Sequence, residues 1–168
     1  MESDFIKPLV ESPLSDIAAL KEIGKNYEKL FIVAVVLVID NSGKVLIIQR
    51  NSKTGYDTWA FPGGKVEEHD SSLKATAKRE LIEEVGIKAD ELIQIPDILH
   101  VGLGNAHSLN TIFIFRVESN EAINLTINKK EVKDFKWVDP SELPDNFFLP
   151  NSPIKENWRS IVSTHIYN

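Results

Sequence analysis

The chain has no cysteine and a single methionine among its 168 residues. That absence excludes a disulfide scaffold, a thiol nucleophile and a thiolate zinc site, and it is compatible with a reducing compartment. Basic charge is scarce as well: 19 Lys and Arg stand against 25 Asp and Glu, giving a net charge of -6 and a pI near 5.3. A sequence-independent grip on a nucleic acid polymer needs clustered cations along phosphates, so none is expected here. No apolar run approaches the roughly 20 residues of a membrane span. The start of the chain carries Glu2 and Asp4 where a secretion signal would be basic and then apolar. Repeats and low-complexity linkers are also missing. What remains is 42% hydrophobic, enough for one self-sufficient core. The expectation is a cytoplasmic single-domain protein with no membrane partner.

Hydrophobic patterning supplies the elements. Ser12-Pro13 can open a short helix through Ile17, Leu20 and Ile23, with Gly24 as its stop. Residues 31–39 form a β-branched run dense enough for a buried strand, and Asp40-Asn41-Ser42-Gly43 turns it into a second strand over 44–50. Further strands are expected around 91–99, 109–117 and 132–138, and residues 153–166 read as a closing helix with Ile154, Trp158, Ile161 and Val162 on one side. Strands interleaved with helices in this order predict a mixed sheet covered by helices.

The most informative stretch is Arg79-Glu80-Leu81-Ile82-Glu83-Glu84-Val85-Gly86-Ile87. Glu80, Glu83 and Glu84 stand at i, i+3 and i+4, neighbouring positions on a helix where like charges repel. A divalent cation would relieve that repulsion. Projection at about 100° per residue puts Glu80 and Glu84 beside the apolar stripe Leu73, Ala77, Leu81 and Val85, so both should be partly buried. A solvated acidic face is the ordinary reading of such a run. The approach to the helix weighs against it: Trp59-Ala60-Phe61-Pro62-Gly63-Gly64-Lys65-Val66-Glu67 is a strand-like run broken by proline and two glycines, and such glycines let backbone come close to a ligand. Ser71 or Ser72 is placed to cap the helix.

Residues 64–87 resemble the Nudix box, the signature of hydrolases acting on a nucleoside diphosphate linked to another group. The family pattern runs glycine, five residues, glutamate, seven residues, then Arg-Glu-aliphatic-any-Glu-Glu-any-Gly-aliphatic. Everything from Arg79 to Ile87 fits. The first half does not: five residues after Gly64 comes Asp70, seven before Arg79 comes Ser71, and the box is one residue longer than the pattern. The resemblance implies that the family's first glutamate braces the loop and the arginine, a task left here to the shorter Asp70.

The same resemblance implies a Nudix α/β/α sandwich with a mixed sheet over 31–168, with 1–30 as an extension packing on the core or on a second subunit of a homodimer. It implies Mg²⁺ or Mn²⁺, held chiefly by Glu80 and Glu84, with Glu83 as a further ligand or the base, the Gly64 carbonyl as a backbone ligand, and Arg79 in support. All-oxygen donors suit these ions better than zinc. Glu131, ahead of the late strand Phe135-Lys136-Trp137-Val138, is the candidate for a remote carboxylate that completes the site, ahead of Glu118 and Glu121. The expected partner is a small-molecule nucleotide. Arg50 is a candidate phosphate contact, Trp59 and Phe61 suit either base stacking or core packing, and His100 and His107 flank a glycine-containing segment that borders the substrate or is plain loop. His69 and His165 read as bystanders. An isomerase on this fold, of the isopentenyl diphosphate type, calls for a catalytic cysteine that the chain lacks, whereas a noncatalytic Nudix-like binding domain would be expected to have lost box carboxylates, and every late glutamate of the box is present here.

Overall fold

The computed structural model describes residues 3–6 and 14–166. Eight strands form one sheet: β1 (Ser3–Ile6), β2 (Lys29–Asp40), β3 (Val45–Arg50), β4 (Trp59–Ala60), β5 (Gly63–Lys65), β6 (Ile93–Leu103), β7 (Ala106–Val117) and β8 (Val132–Val138). The path runs β1-β6-β7-β2-β3-β4, with β5 also paired to β2 and β8 to β3. β2 and β7 lie parallel from Lys29↔Ala106 to Asp40↔Val117, while the other pairings are antiparallel. The sheet is therefore mixed, and its central strand β2 is buried on both faces because every residue from Ala34 to Ile39 is apolar.

Alternation along β2 divides the core in two. Ile32, Ala34, Val36 and Val38 pack against Ile17 and Leu20 of α1 (Asp16–Ile23) and Leu73, Ala77, Leu81 and Val85 of α2 (Leu73–Val85). Val35, Leu37 and Ile39 face Ile154 of α3 (Ser152–Glu156) and Trp158, Ile161 and Val162 of α4 (Trp158–Ile166). This is an α/β/α sandwich. Among the described residues no helix is long and apolar enough to cross a membrane.

Several elements differ from expectation for physical reasons. The closing helix is broken at Asn157, whose side-chain amide donates to the Pro153 carbonyl (2.8 Å) and competes with the helical ladder. β6 and β7 run beyond their apolar residues because the hairpin at Gly104-Asn105 brings Leu103 opposite Ala106, so the glycine-containing segment is a tight hairpin end. Pro96, which has no N–H to give, lies in the register shift between Gln94 and Ile98. Ser12 and Pro13 lie outside the described residues, and α1 is capped by Ser15, whose hydroxyl accepts the Ala18 N–H. Of the first thirty residues, β1 pairs with β6 and α1 contributes to the core beside α2. The Asp16 carboxylate also accepts the Leu73 N–H (3.0 Å), fixing the start of α2 together with the Ser72 cap. Such caps each contribute about 1 kcal/mol.

Candidate active site

The site is assembled where α2 crosses the β5 segment. The apolar stripe of α2 is fully buried, and that rotation carries Glu80 and Glu84 inward to 9% and 6% exposure, whereas Glu83 points to solvent. Gly63 donates its N–H to Glu84 (2.8 Å). Gly64 lies so close that a Cβ there would overlap the Glu80 carboxylate. The two glycines thus let the strand backbone meet the helix carboxylates directly.

Arg79 organises the outer side. Its Nε and Nη2 grip the two oxygens of Asp70 at 2.9 Å each, Nη2 also reaches the Lys65 carbonyl (3.1 Å), and Nη1 donates to Glu80 (2.9 Å) and Glu83 (3.1 Å). The Asp70 side chain, 3% exposed, further accepts from Thr76 Oγ1 and the Glu67 N–H, both at 2.9 Å. Asp70 is therefore in place to brace Arg79 despite its length, because the backbone of the longer loop folds onto it. Hydrogen bonding from Arg79 holds the Asp70 carboxyl well below the ordinary range, and Asp70 in turn raises Arg79.

The third side comes from a distant part of the chain. The backbone N–H groups of Thr126 and Asn128 donate to the carbonyls of Val85 and Glu84, so this segment docks on the open end of α2. A turn then presents Glu131, whose carbonyl accepts the Asn51 N–H (2.8 Å). The exposed Glu131 carboxylate is near enough to add to the raised pKa of both Glu80 and Glu84, and burial lowers the pKa of Arg50 against the opposing pull of Glu84 and Glu131. Arg50 lies over the Phe148 ring (3.9 Å) and is anchored to the Thr54 carbonyl and Ser52.

Burial dominates the electrostatics. Desolvation pushes Glu80 up to about 7 against the opposing pull of Arg79, and pushes Glu84 well above the carboxylate range against the Gly63 N–H, with neighbouring carboxylates adding to both. As the side chains stand, Arg79 and Gly63 occupy these carboxylates, and among the described residues no three acidic or histidine side chains converge as a ready ligand set. The donor set nevertheless fits a hard divalent ion, because buried carboxylates of one sign, with no sulfur or imidazole among them, are stabilised by such a cation.

The other sequence candidates separate. Trp59 lies in β4 beneath Lys136 Nζ (4.3 Å), on the side of the sheet opposite α2. Phe61 is 3% exposed, packed on Phe147 and Trp158, with its N–H given to the buried Asn151; it is a core residue. His107 lies beneath Tyr27 (centroids 4.0 Å) and pairs with His100 (2.9 Å), and none of its contacts reaches the carboxylates. Thr76, Asn128 and Phe148 escaped the sequence reading, since each acts through contacts made by folding.

The NUDIX domain family model matches residues 29–158. The chain belongs to the NUDIX family. A Xenopus laevis protein named nucleoside diphosphate-linked moiety X motif 6 is 40% identical over 115 residues, covering 66% of this chain and 50% of that protein. The RNA pyrophosphohydrolase of Bartonella henselae is 31% identical over 134 residues, 65% of this chain and 76% of that one. The chain thus spans half the length of the first of these Nudix relatives. Among solved structures, the MutT NUDIX hydrolase of Burkholderia pseudomallei superposes with a TM-score of 0.65 at 18% identity, over 77% of this chain and 98% of that chain, which shows the shared fold.

The raised carboxylates set the pH dependence of the metal-free fold. Glu80 titrates at about 7 when folded against 4.5 as its ordinary value, and Glu84 is shifted the same way, so the folded state holds extra protons across that window. Stability must then fall as pH rises from about 4.5 towards neutrality. Asp70 acts oppositely: its contribution is present above its ordinary 3.8 and is lost as pH falls below that. In chelator, the melting temperature should peak at mildly acidic pH, and saturating Mg²⁺ should flatten the decline above it. A melting temperature in chelator that climbs steadily from pH 5 to 8 would contradict this balance.

Proposed function

We propose that this Nudix domain hydrolyses a phosphoanhydride bond in a nucleoside diphosphate linked to another moiety, using Mg²⁺ or Mn²⁺. The supporting observation is the burial of Glu80 and Glu84 against Gly63 and Gly64 with Glu131 beside them, an excess of inward carboxylates that is costly without a cation. Glu80, Glu84, Glu83, Glu131 and the Gly64 carbonyl would hold the ion. When bound, it supplies charge neutralisation for the phosphates and makes a water more acidic.

The remaining work falls to the chain. Glu83 is the most solvent-exposed carboxylate of the helix trio and is steadied by Arg79, an arrangement suited to taking the proton of an attacking water. Arg79 is a positioning residue, because its donors are spent on Asp70, Glu80, Glu83 and Lys65. Arg50 bears the positive charge that a phosphate would meet beside Glu84 and Glu131. The net charge of -6 favours a small nucleotide over a polymer, and the absence of cysteine is compatible with a cytoplasmic setting. Light scattering would tell a monomer from a dimer.

The test is separation of the phosphorylated products formed from sugar nucleotides, ADP-ribose, dinucleoside polyphosphates, nucleoside triphosphates and 5′-triphosphorylated RNA, with Mg²⁺ and with Mn²⁺. Activity should vanish in chelator, return with Mg²⁺, and be poor with Ca²⁺, whose looser coordination misplaces the water. Full turnover in excess chelator would refute the mechanism. Nucleotide binding without turnover on any member of the panel would identify a noncatalytic binding domain.

A further inference from the structure

His100 and His107 form a structure of their own, away from the carboxylates. They stand diagonally across the β6–β7 hairpin, with Leu109 and Gly102 as their respective register partners, and both rings leave the sheet on the α1 side. His100 Nε2 and His107 Nδ1 are 2.9 Å apart, and the rings lie within 12° of one plane. Tyr27 stacks on both, its centroid 4.0 Å from that of His107 and 5.3 Å from that of His100. All three side chains are half-buried.

Tyr27 belongs to the N-terminal extension. α1 ends at Gly24, where a Cβ would overlap the Leu30 side chain, and the Tyr27 N–H returns to the Gly24 carbonyl (3.0 Å). Leu30 is the register partner of His107, so the end of α1 is laid beside the pair. The start of α1 meets the carboxylate helix, through the Asp16 carboxylate that accepts the Leu73 N–H. Among the described residues, the charged groups around the pair are Asp4 of β1, opposite His100 in the register, Lys21, Glu22 and Lys25 of α1, and Glu28 and Lys29 next to Tyr27 in the chain. Glu22 and Lys25 pair with each other, and residues 98–115 of β6 and β7 hold no other ionisable side chain.

A hydrogen bond between imidazoles needs one N–H and one bare nitrogen. Two neutral rings meet that need, and so does a pair holding one extra proton, which strengthens the bond. A second proton sets N–H against N–H and places two positive charges side by side, so the paired arrangement is lost. The Tyr27 face and a carboxylate at Asp4 act on the first proton as on the second, and neither relieves that clash. We propose that His100, His107 and Tyr27 are an acid-sensitive clasp, which holds residues 14–28 on the core at neutral pH and frees them once both imidazoles are protonated. Opening takes up a proton that the closed pair refuses, so the clasp weakens as pH falls. The sign is opposite to the effect of Glu80 and Glu84 on the fold as a whole, which makes the two separable.

Hydrogen exchange of the full chain in Mg²⁺ is compared at pH 7 and pH 5, corrected for the pH dependence of exchange in free amides. Protection of residues 16–28 should fall by about tenfold or more, the least that two ionisable groups in direct contact exert on each other. The Leu73 amide, parted from Asp16, should lose protection with them, while the amides of residues 36–39 in β2 should hold. His100→Gln and His107→Gln, whose side chains do not titrate, should show no such fall, and Tyr27→Phe, which keeps the ring, should retain it. The ¹⁵N shifts of the two imidazoles are read in the same wild-type series, so the answer does not depend on the variants folding. Loss of protection while either ring is still neutral would overturn the proposal. So would unchanged protection of residues 16–28 at pH 5, an equal loss across β2, or the same fall in both Gln variants.

Discussion

Glu84→Gln should lower turnover at saturating Mg²⁺ by a factor on the order of 10² to 10³, the scale seen when one preorganised electrostatic contact is removed from an active site. The substitution keeps the shape and the oxygen that accepts the Gly63 N–H. It removes only the capacity for negative charge at the most deeply buried carboxylate of the cluster. For the same reason the fold should not suffer. Above neutral pH the metal-free variant should melt at or above the wild type, because a buried acid resisting ionisation has been replaced by a neutral amide. Stabilisation by Mg²⁺, which depends on preferential binding to the folded state, should shrink in parallel. Glu83→Gln should also reduce turnover, with a smaller change in melting because Glu83 is exposed. Near-normal turnover in both variants would mean that these glutamates do not hold the catalytic ion.

The helix and its chemistry were legible because each rests on local spacing. Leu73, Ala77, Leu81 and Val85 fix the rotation of α2, and that rotation alone determines that Glu80 and Glu84 turn inward. The strands were equally visible, β2 and β3 as β-branched runs beside turn residues and β8 by its valines and aromatic residues. What local spacing cannot encode is which distant segment closes the site. Glu131 reaches the cluster through Thr126 and Asn128 capping the end of α2, a backbone interaction with no residue signature. Phe148 beneath Arg50 is of the same kind. Phe61 and Trp59 have similar sequence surroundings, yet they point to different depths because they occupy successive positions of one face around Ala60. One is sealed by Trp158 and Phe147, and the other lies beneath a lysine. His107 went to the far end of the sheet because its register partner is Leu30, near the start of β2, whereas the carboxylates meet β2 through Ala34↔Gly64.

The departure from the family pattern at Asp70 gives the largest expected effect on stability. Asp70 is almost fully enclosed and receives four hydrogen bonds beyond its own backbone, two of them from Arg79. Asp70→Asn removes the charge that holds this guanidinium and sets an amide donor against its N–H groups. Breaking a buried pair from one side costs about 3 to 5 kcal/mol, and the small exposure of Arg79 argues for the lower end. In a chain of this size that is a fall of roughly 10 °C in melting temperature. Turnover should drop too, since Arg79 would no longer fix Glu80 and Glu83. Asp70→Glu tests whether loop length and side-chain length compensate each other. Alone it should be poorly tolerated, because the loop already brings its backbone to the guanidinium and leaves no room for another methylene. Combined with deletion of Ser71, which leaves the Ser72 cap intact and restores the family spacing, it should recover most of the lost stability and activity. Melts and turnover of the three variants decide the matter. An Asp70→Asn variant that melts within about 2 °C of the wild type would mean that Arg79 is held by its other partners, and that the extra residue in the loop has no compensating role.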